Sequence, residues 1–282
     1  MMAVEFIEDV VLFADIDSPG GPARIEYTWI GNERPERRDR PLIVFLHEGL
    51  GSRAMWKDFP RVLCDATKTR GFVYSRPGYG RSTSRVRDER WDVDYMHRQA
   101  LDVLPALLVA VGIDAVASPP WLLGHSDGGS IALLHAARFP SAVAGVIAAA
   151  PQIFVEDLSV RSIEAARRAY LETDLRQRLA RYHDDVDFAF WRWNDMWLDP
   201  AFRTWTITDC RPLIRCPVLA VQGEDDEYGT MAQIDGIARG VPQARRLKLA
   251  CCGHSPHRDQ PGPLLASAVR FMQSVQPPAS AA

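Results

Sequence analysis

From Leu42 onward the chain alternates short, unbroken apolar runs with longer stretches of helical periodicity, and few folds satisfy that alternation. Leu42 to Leu46 (LIVFL) is the purest of these runs. Such a run has no polar face to turn toward water, so it reads as a strand covered on both sides, as in a parallel sheet. Further runs follow at Gly71 to Ser75, Trp121 to Leu123, Val143 to Ala149, Pro217 to Val221 and Arg245 to Ala250. Helical patterns over Ala54 to Ala66, Asp94 to Val111, Asp127 to Phe139, Thr230 to Arg239 and Gly262 to Gln273 separate most of them. A doubly wound, mostly parallel α/β sheet with helices on both faces is the expected architecture. Ahead of it, the β-branched-rich runs Val4 to Ile16 and Ala23 to Ile30 flank Ser18-Pro19-Gly20-Gly21-Pro22, which predicts a hairpin.

One interval breaks the rhythm. Between Ala149 and Pro217 there is helical periodicity and no clear strand: Leu171, Leu175 and Leu179 recur at i+4, and Phe190, Trp193 and Trp197 share a helix face. The expected organisation is therefore a core domain from residues 1–150 and 216–275, a helical cap inserted at 151–215, and a disordered tail at 276–282. Trp191, Trp193, Trp197 and Trp205 fall in the insertion with Phe188, Phe190 and Phe202. Such aromatic density serves packing between helices or an apolar roof over a substrate, and Trp191, Arg192, Trp193 and Trp197 are the candidates for substrate contact.

Composition narrows the function. With 282 residues, 47% hydrophobic and 24% charged, the chain is globular and large enough to bury a core without staples. Lys plus Arg number 33 and Asp plus Glu 36, so no global field favours nucleic acid or an anionic membrane. A run at Arg81, Arg85, Arg87 and Arg90 is interrupted by Asp88 and Glu89 and lacks interleaved aromatics. The expected partner is a small, weakly charged ligand, and a homo-oligomer is left open. Five cysteines without CxxC spacing, and acidic residues where a secretory leader needs basic ones, point to a cytoplasmic protein. No apolar stretch is long enough for a membrane span.

Gly124-His125-Ser126-Asp127-Gly128 fits G-x-S-x-G. The pattern alone recurs by chance, but here it stands between an apolar strand and a helix. That turn is so tight that the serine is strained and the flanking positions have no room for side chains. A serine hydroxyl needs a base, and the base needs a carboxylate to orient it. Strand Pro217 to Val221 runs into Gly223-Glu224-Asp225-Asp226-Glu227, and the next strand runs into Gly253-His254. Ends of parallel strands share one edge, so Ser126, Asp226 or Asp225, and His254 are candidates for one site. Metals fit less well. His254-x-x-His257 lacks a third ligand pattern for zinc, and Glu224 to Glu227 lacks the spacing of a calcium loop.

These residues give the chain a resemblance to the α/β-hydrolase fold superfamily from about residue 23 to 275. It rests on His47-Glu48-Gly49-Leu50-Gly51-Ser52, on Gly124 to Gly128 and on Gly253-His254, with Ser75-Arg76-Pro77-Gly78-Tyr79-Gly80-Arg81-Ser82 between them. The resemblance implies an eight-stranded sheet, a helical cap and no cofactor. It also implies a triad of Ser126, Asp226 and His254, since the family's acid usually stands three residues after the glycine ending its strand. Asp225 is the competitor. Backbone N–H groups of Gly49 and Asp127 would form the oxyanion hole. Glu48 departs from the family's usual glycine, and reads as a solvated or loop-tethering side chain or as a polar group in the pocket. The implied function is hydrolysis of a small ester or activated carbonyl through an acyl-serine. Carbon-carbon hydrolysis of a vinylogous diketone, perhydrolase activity and non-catalytic ligand reception are the alternatives.

Overall fold

Every residue of Leu42–Leu46 is buried, and the run forms strand β3 at the middle of the sheet. The computed structural model describes residues 10–18, 21–32, 39–83 and 92–275. The tail 276–282, the opening residues of the first apolar run, the tip of the predicted hairpin and Arg85, Arg87 and Arg90 lie outside these residues.

The sheet comprises β1 (Leu12–Ser18), β2 (Gly21–Ile30), β3, β4 (Arg70–Tyr74), β5 (Trp121–His125), β6 (Gly145–Ala149), β7 (Val218–Gly223) and β8 (Ala244–Leu249). Their spatial order is β1-β2-β4-β3-β5-β6-β7-β8. β2 runs antiparallel to both its neighbours and all other pairings are parallel. The central strands β3, β5, β6 and β7 are buried throughout, whereas the edge strands β1 and β8 mix buried and exposed positions. Two layers of helix explain the difference. Ile43 and Phe45 of β3, with Leu123, Ile147 and Leu219, face α1 (Phe59–Thr67) and the C-terminal helix Pro261–Val275. Leu42, Val44 and Leu46, with Leu122, Val146 and Val218, face the opposite layer. Full burial of each such side chain is worth about 1.5–3 kcal/mol over leaving it in water, so both layers are needed.

That second layer holds α2 (Tyr95–Arg98) and α3 (Leu104–Ala110), joined by a π-helical turn, and α4 (Asp127–Arg138). Between β6 and β7 lie α5 (Asp157–Glu172), α6 (Leu175–Leu179), α7 (Val186–Leu198) and two 3-10 turns, and one isolated bridge, Phe154 to Thr206, is the strand-like pairing described there. α8 (Ala232–Gly240) follows β7, α9 (Pro256–Asp259) follows β8, and α10 is the C-terminal helix. The predicted helix over Ala54 to Ala66 is broken: Arg53–Trp56 is a 3-10 turn, and Lys57 at φ 53° interrupts the chain before α1.

Chain order reverses between β3 and β5, which are adjacent in space. The register pairs Leu46 with Gly124, so the segments leaving these two strands emerge side by side. Crevices of this kind are where open α/β sheets bind ligands. Among the described residues no helix is long and apolar enough to cross a membrane.

Candidate active site

Ser126 stands at the corner between β5 and α4 with φ 53° and ψ −121°, a backbone conformation that L-residues rarely adopt. Its N–H donates to the Ala149 carbonyl of the next strand at 2.9 Å, which holds the corner in place. The flanking glycines are obligatory. A Cβ on Gly124 would meet the Gly128 carbonyl oxygen at 2.1 Å, and one on Gly128 would meet that of Leu46 at 2.1 Å.

His254 follows β8 and reaches back across the sheet edge. Its Nε2 lies 2.9 Å from Ser126 Oγ, and its Nδ1 lies 2.9 Å from each carboxylate oxygen of Asp226. Asp226 is buried on the turn after β7. It accepts hydrogen bonds from Gln222 Nε2 at 2.7 Å and from the backbone N–H groups of Tyr228 and Gly229 at 2.7 and 3.2 Å. Four donors thus fix the carboxylate, while the competitor Asp225 is exposed. Burial alone would lower the His254 pKa. The hydrogen bond and charge of Asp226, with Glu227 and Glu48, outweigh it and hold His254 above the ordinary imidazole value. The Tyr228 ring lies against the imidazole with centroids 4.6 Å apart.

Over the serine lies a cavity of ≈ 100 Å³, walled by Glu48, Gly49, Leu50, Ser126, Asp127, Gln152 and others. α7 contributes Trp193 and Trp197, one turn apart on one face, and α5 contributes Ile163. Asp185 caps α7 by accepting from the Phe188 N–H at 2.9 Å. Asn194 donates to the Ile163 carbonyl at 3.0 Å and accepts from Arg167 Nε at 2.7 Å, which locks α7 to α5. Trp191 and Arg192, offered as substrate contacts, are not among the cavity walls. The helical turn rotates them away: Trp191 stands edge-on to Tyr170 and Phe190 under the Arg167 guanidinium, and Arg192 lies over the Phe188 ring. Ile163, Gln152 and Tyr228 were not anticipated. Tyr228, two residues past Asp226, was within reach of a positional argument; a single isoleucine in an amphipathic helix carries no signal.

Gly49 and Asp127 both line the cavity beside Ser126. Asp127 opens α4, and burial raises its carboxyl to about 6 against the opposing charge of Arg76. Glu48 is tethered, with one oxygen 3.5 Å from Arg258 Nη2 and the other 3.5 Å from His125 Nδ1. Burial would raise its pKa, but the adjacent His125, with His257 and Arg258, holds it well below the usual carboxylate range. His125 Nε2 donates to the His254 carbonyl at 2.6 Å, so His125 positions backbone. Among the described residues no group of three or more His, Cys, Asp or Glu could hold a metal ion.

The model of the alpha/beta hydrolase family matches residues 43–268, most of the chain. The chain belongs to that family. Within it, the chain is 29% identical over 174 residues to a human serine hydrolase, BPHL, a match covering 60% of this chain and 57% of the relative's length. It is 25% identical over 209 residues to 2-succinyl-6-hydroxy-2,4-cyclohexadiene-1-carboxylate synthase of Enterobacter sp. (strain 638), covering 74% of this chain and 71% of that one. The enol-lactonase of Burkholderia xenovorans LB400 superposes with a TM-score of 0.68 at 19% identity, over 92% of this chain and 99% of the lactonase, a likeness of fold. Family and eight-stranded sheet agree with what the motifs imply.

Proposed function

We propose that this hydrolase cleaves a small ester, or a related activated carbonyl, through an acyl-serine intermediate, with the helices inserted between β6 and β7 serving as its cap. The reading rests above all on one observation, the unbroken chain from Ser126 Oγ through the His254 ring to Asp226 at hydrogen-bond distances. Ser126 O–H donates to His254 Nε2 and attacks the substrate carbonyl as the proton passes to that nitrogen. His254 Nδ1–H stays on Asp226, which orients the ring and stabilises the imidazolium. The carbonyl oxygen becomes an oxyanion facing the N–H groups of Gly49 and Asp127. His254 then returns the proton to the departing alcohol, and a water activated by the same nitrogen releases the acyl group.

The cavity supports a compact acyl group, because its ≈ 100 Å³ is walled in part by the indoles of Trp193 and Trp197. Ester turnover by the Ser126→Ala protein is the test. The reading predicts a fall of about 10⁴-fold or more in p-nitrophenyl acetate or butyrate hydrolysis by a protein with parent-like circular dichroism. Turnover within tenfold of the parent removes Ser126 from the chemistry.

A further inference from the structure

Arg76 is fully buried, and the chemistry above does not use it. A guanidinium without solvent must find its partners inside the protein, so where its donors go says what it does. Two go to the segment leaving β3. Nη1 donates to the His47 carbonyl and Nη2 to the Glu48 carbonyl at 2.8 Å. Nε donates to the Tyr95 hydroxyl at 3.1 Å, which anchors the group to α2, and the Arg76 N–H donates to His47 Nε2 at 3.0 Å. His47 completes the arrangement, its Nδ1 donating to the Glu48 carbonyl at 2.7 Å.

The Glu48 carbonyl therefore receives three donors, from Arg76 Nη2, from His47 Nδ1 and from the Gly51 N–H at 3.0 Å, and Arg76 is the one that ties it to α2. A trans peptide is planar, with C=O and N–H pointing oppositely. Holding the Glu48 oxygen toward Arg76 turns the Gly49 N–H the other way, and Gly49 and Ser126 line one cavity. Glycine at 49 has no side chain to set this peptide, and a peptide beside glycine flips easily unless its carbonyl is held. We propose that Arg76 is a positioning residue that pins the His47 and Glu48 carbonyls and so aims the Gly49 N–H at the oxyanion. The inference rests on the acyl-serine reading above.

Such a role makes two demands that a general structural one does not. Loss should fall on kcat, because the aimed N–H matters most when charge develops on oxygen. It should also track the binding of a transition-state mimic. The experiment compares the parent, Arg76→Gln and Arg76→Lys in p-nitrophenyl butyrate kinetics and in inhibition by a trifluoromethyl ketone, whose serine adduct carries an oxyanion. R76Q should lose about 10²-fold in kcat, the scale of one oxyanion donor, with KM within threefold. Its inhibition constant should rise by a similar factor, while inhibition by butyrate stays as in the parent. R76K, able to reach one carbonyl, should fall between the two. A folded R76Q with parent-like kcat, or one that loses only KM, overturns the proposal. Should R76Q fail to fold, R76K decides: an unchanged kcat and ketone affinity overturn it, and a matched loss in both supports it. Covalent labelling of parent Ser126 by a fluorophosphonate is the control. Its absence overturns the acyl-serine reading, whereas a labelled parent with an unaffected R76Q overturns Arg76 alone.

Discussion

Trp193 lies so close over Gly49 that a Cβ at residue 49 would sit 2.1 Å from the indole nitrogen. Either the ring or the loop carrying the Gly49 N–H must then move. Displacing a reacting group by about 1 Å can cost on the order of 10²-fold in rate. Gly49→Ala should therefore lose roughly that factor in kcat/KM for a small ester. Adding Trp193→Ala makes room, so the double variant should exceed Gly49→Ala in kcat. Strictly additive losses in steady-state kinetics would mean the contact carries no coupling.

The backbone strain at Ser126 gives a stability prediction with the opposite sign to activity. At φ 53° and ψ −121° a Cβ is costly, by about 1–3 kcal/mol, and glycine is not. Ser126→Gly should be inactive yet more stable to urea than Ser126→Ala by about 1 kcal/mol or more. Equal midpoints and slopes would show that the corner stores no strain.

The acid limb of activity follows from the raised pKa of His254. The ring must be neutral to accept the serine proton, so kcat/KM should climb with pH and reach half its plateau above about 6.5, the unperturbed imidazole value. Asp226→Asn removes the carboxylate that raises it. That variant should lose about 10⁴-fold in rate, and its residual limb should move to lower pH.

Stability should fail on the acid side of a different boundary. His47, His97, His135, His183 and His257 all have lowered pKa values, chiefly from burial, with His257 brought down to about 3. Below about pH 6.5 the unfolded chain takes up protons that the native state refuses, so this stability is present above 6.5 and is lost as pH falls toward the native values. Each fully buried imidazole contributes up to about 1.4 kcal/mol per pH unit, and the half-exposed His97 less. His183 shows why: its Nδ1 accepts from the Gly80 N–H at 2.9 Å while its Nε2 donates to the Leu50 carbonyl at 3.0 Å, an arrangement that needs one proton and no more. Urea unfolding should give a free energy that is level from about pH 7.5 down to 6.5 and falls steadily as the pH drops from 6.5 to 5. A flat profile would contradict it.

Much of the fold was legible because the central strands are buried on both faces and cannot hide their apolar runs. The edges of the sheet were harder to bound, since β1 and β8 mix exposed and buried positions. Ser126, Asp226 and His254 were visible because each follows a strand end, and those ends share an edge by topology. Trp191 and Trp193 could not be told apart by composition; only the rotation of α7 against α5 decides which indole meets the cavity. Arg76 was unreadable for a related reason. An arginine in a glycine-rich loop reads as surface, and its burial depends on three acceptors contributed by distant segments.

Intact-mass spectrometry of the protein after exposure to a fluorophosphonate tests the account most directly. One adduct is expected, mapped by peptide sequencing to Ser126, absent from Ser126→Ala and slowed at least 10²-fold in His254→Ala. No adduct, or an adduct on another residue at the same rate in all three proteins, would contradict it.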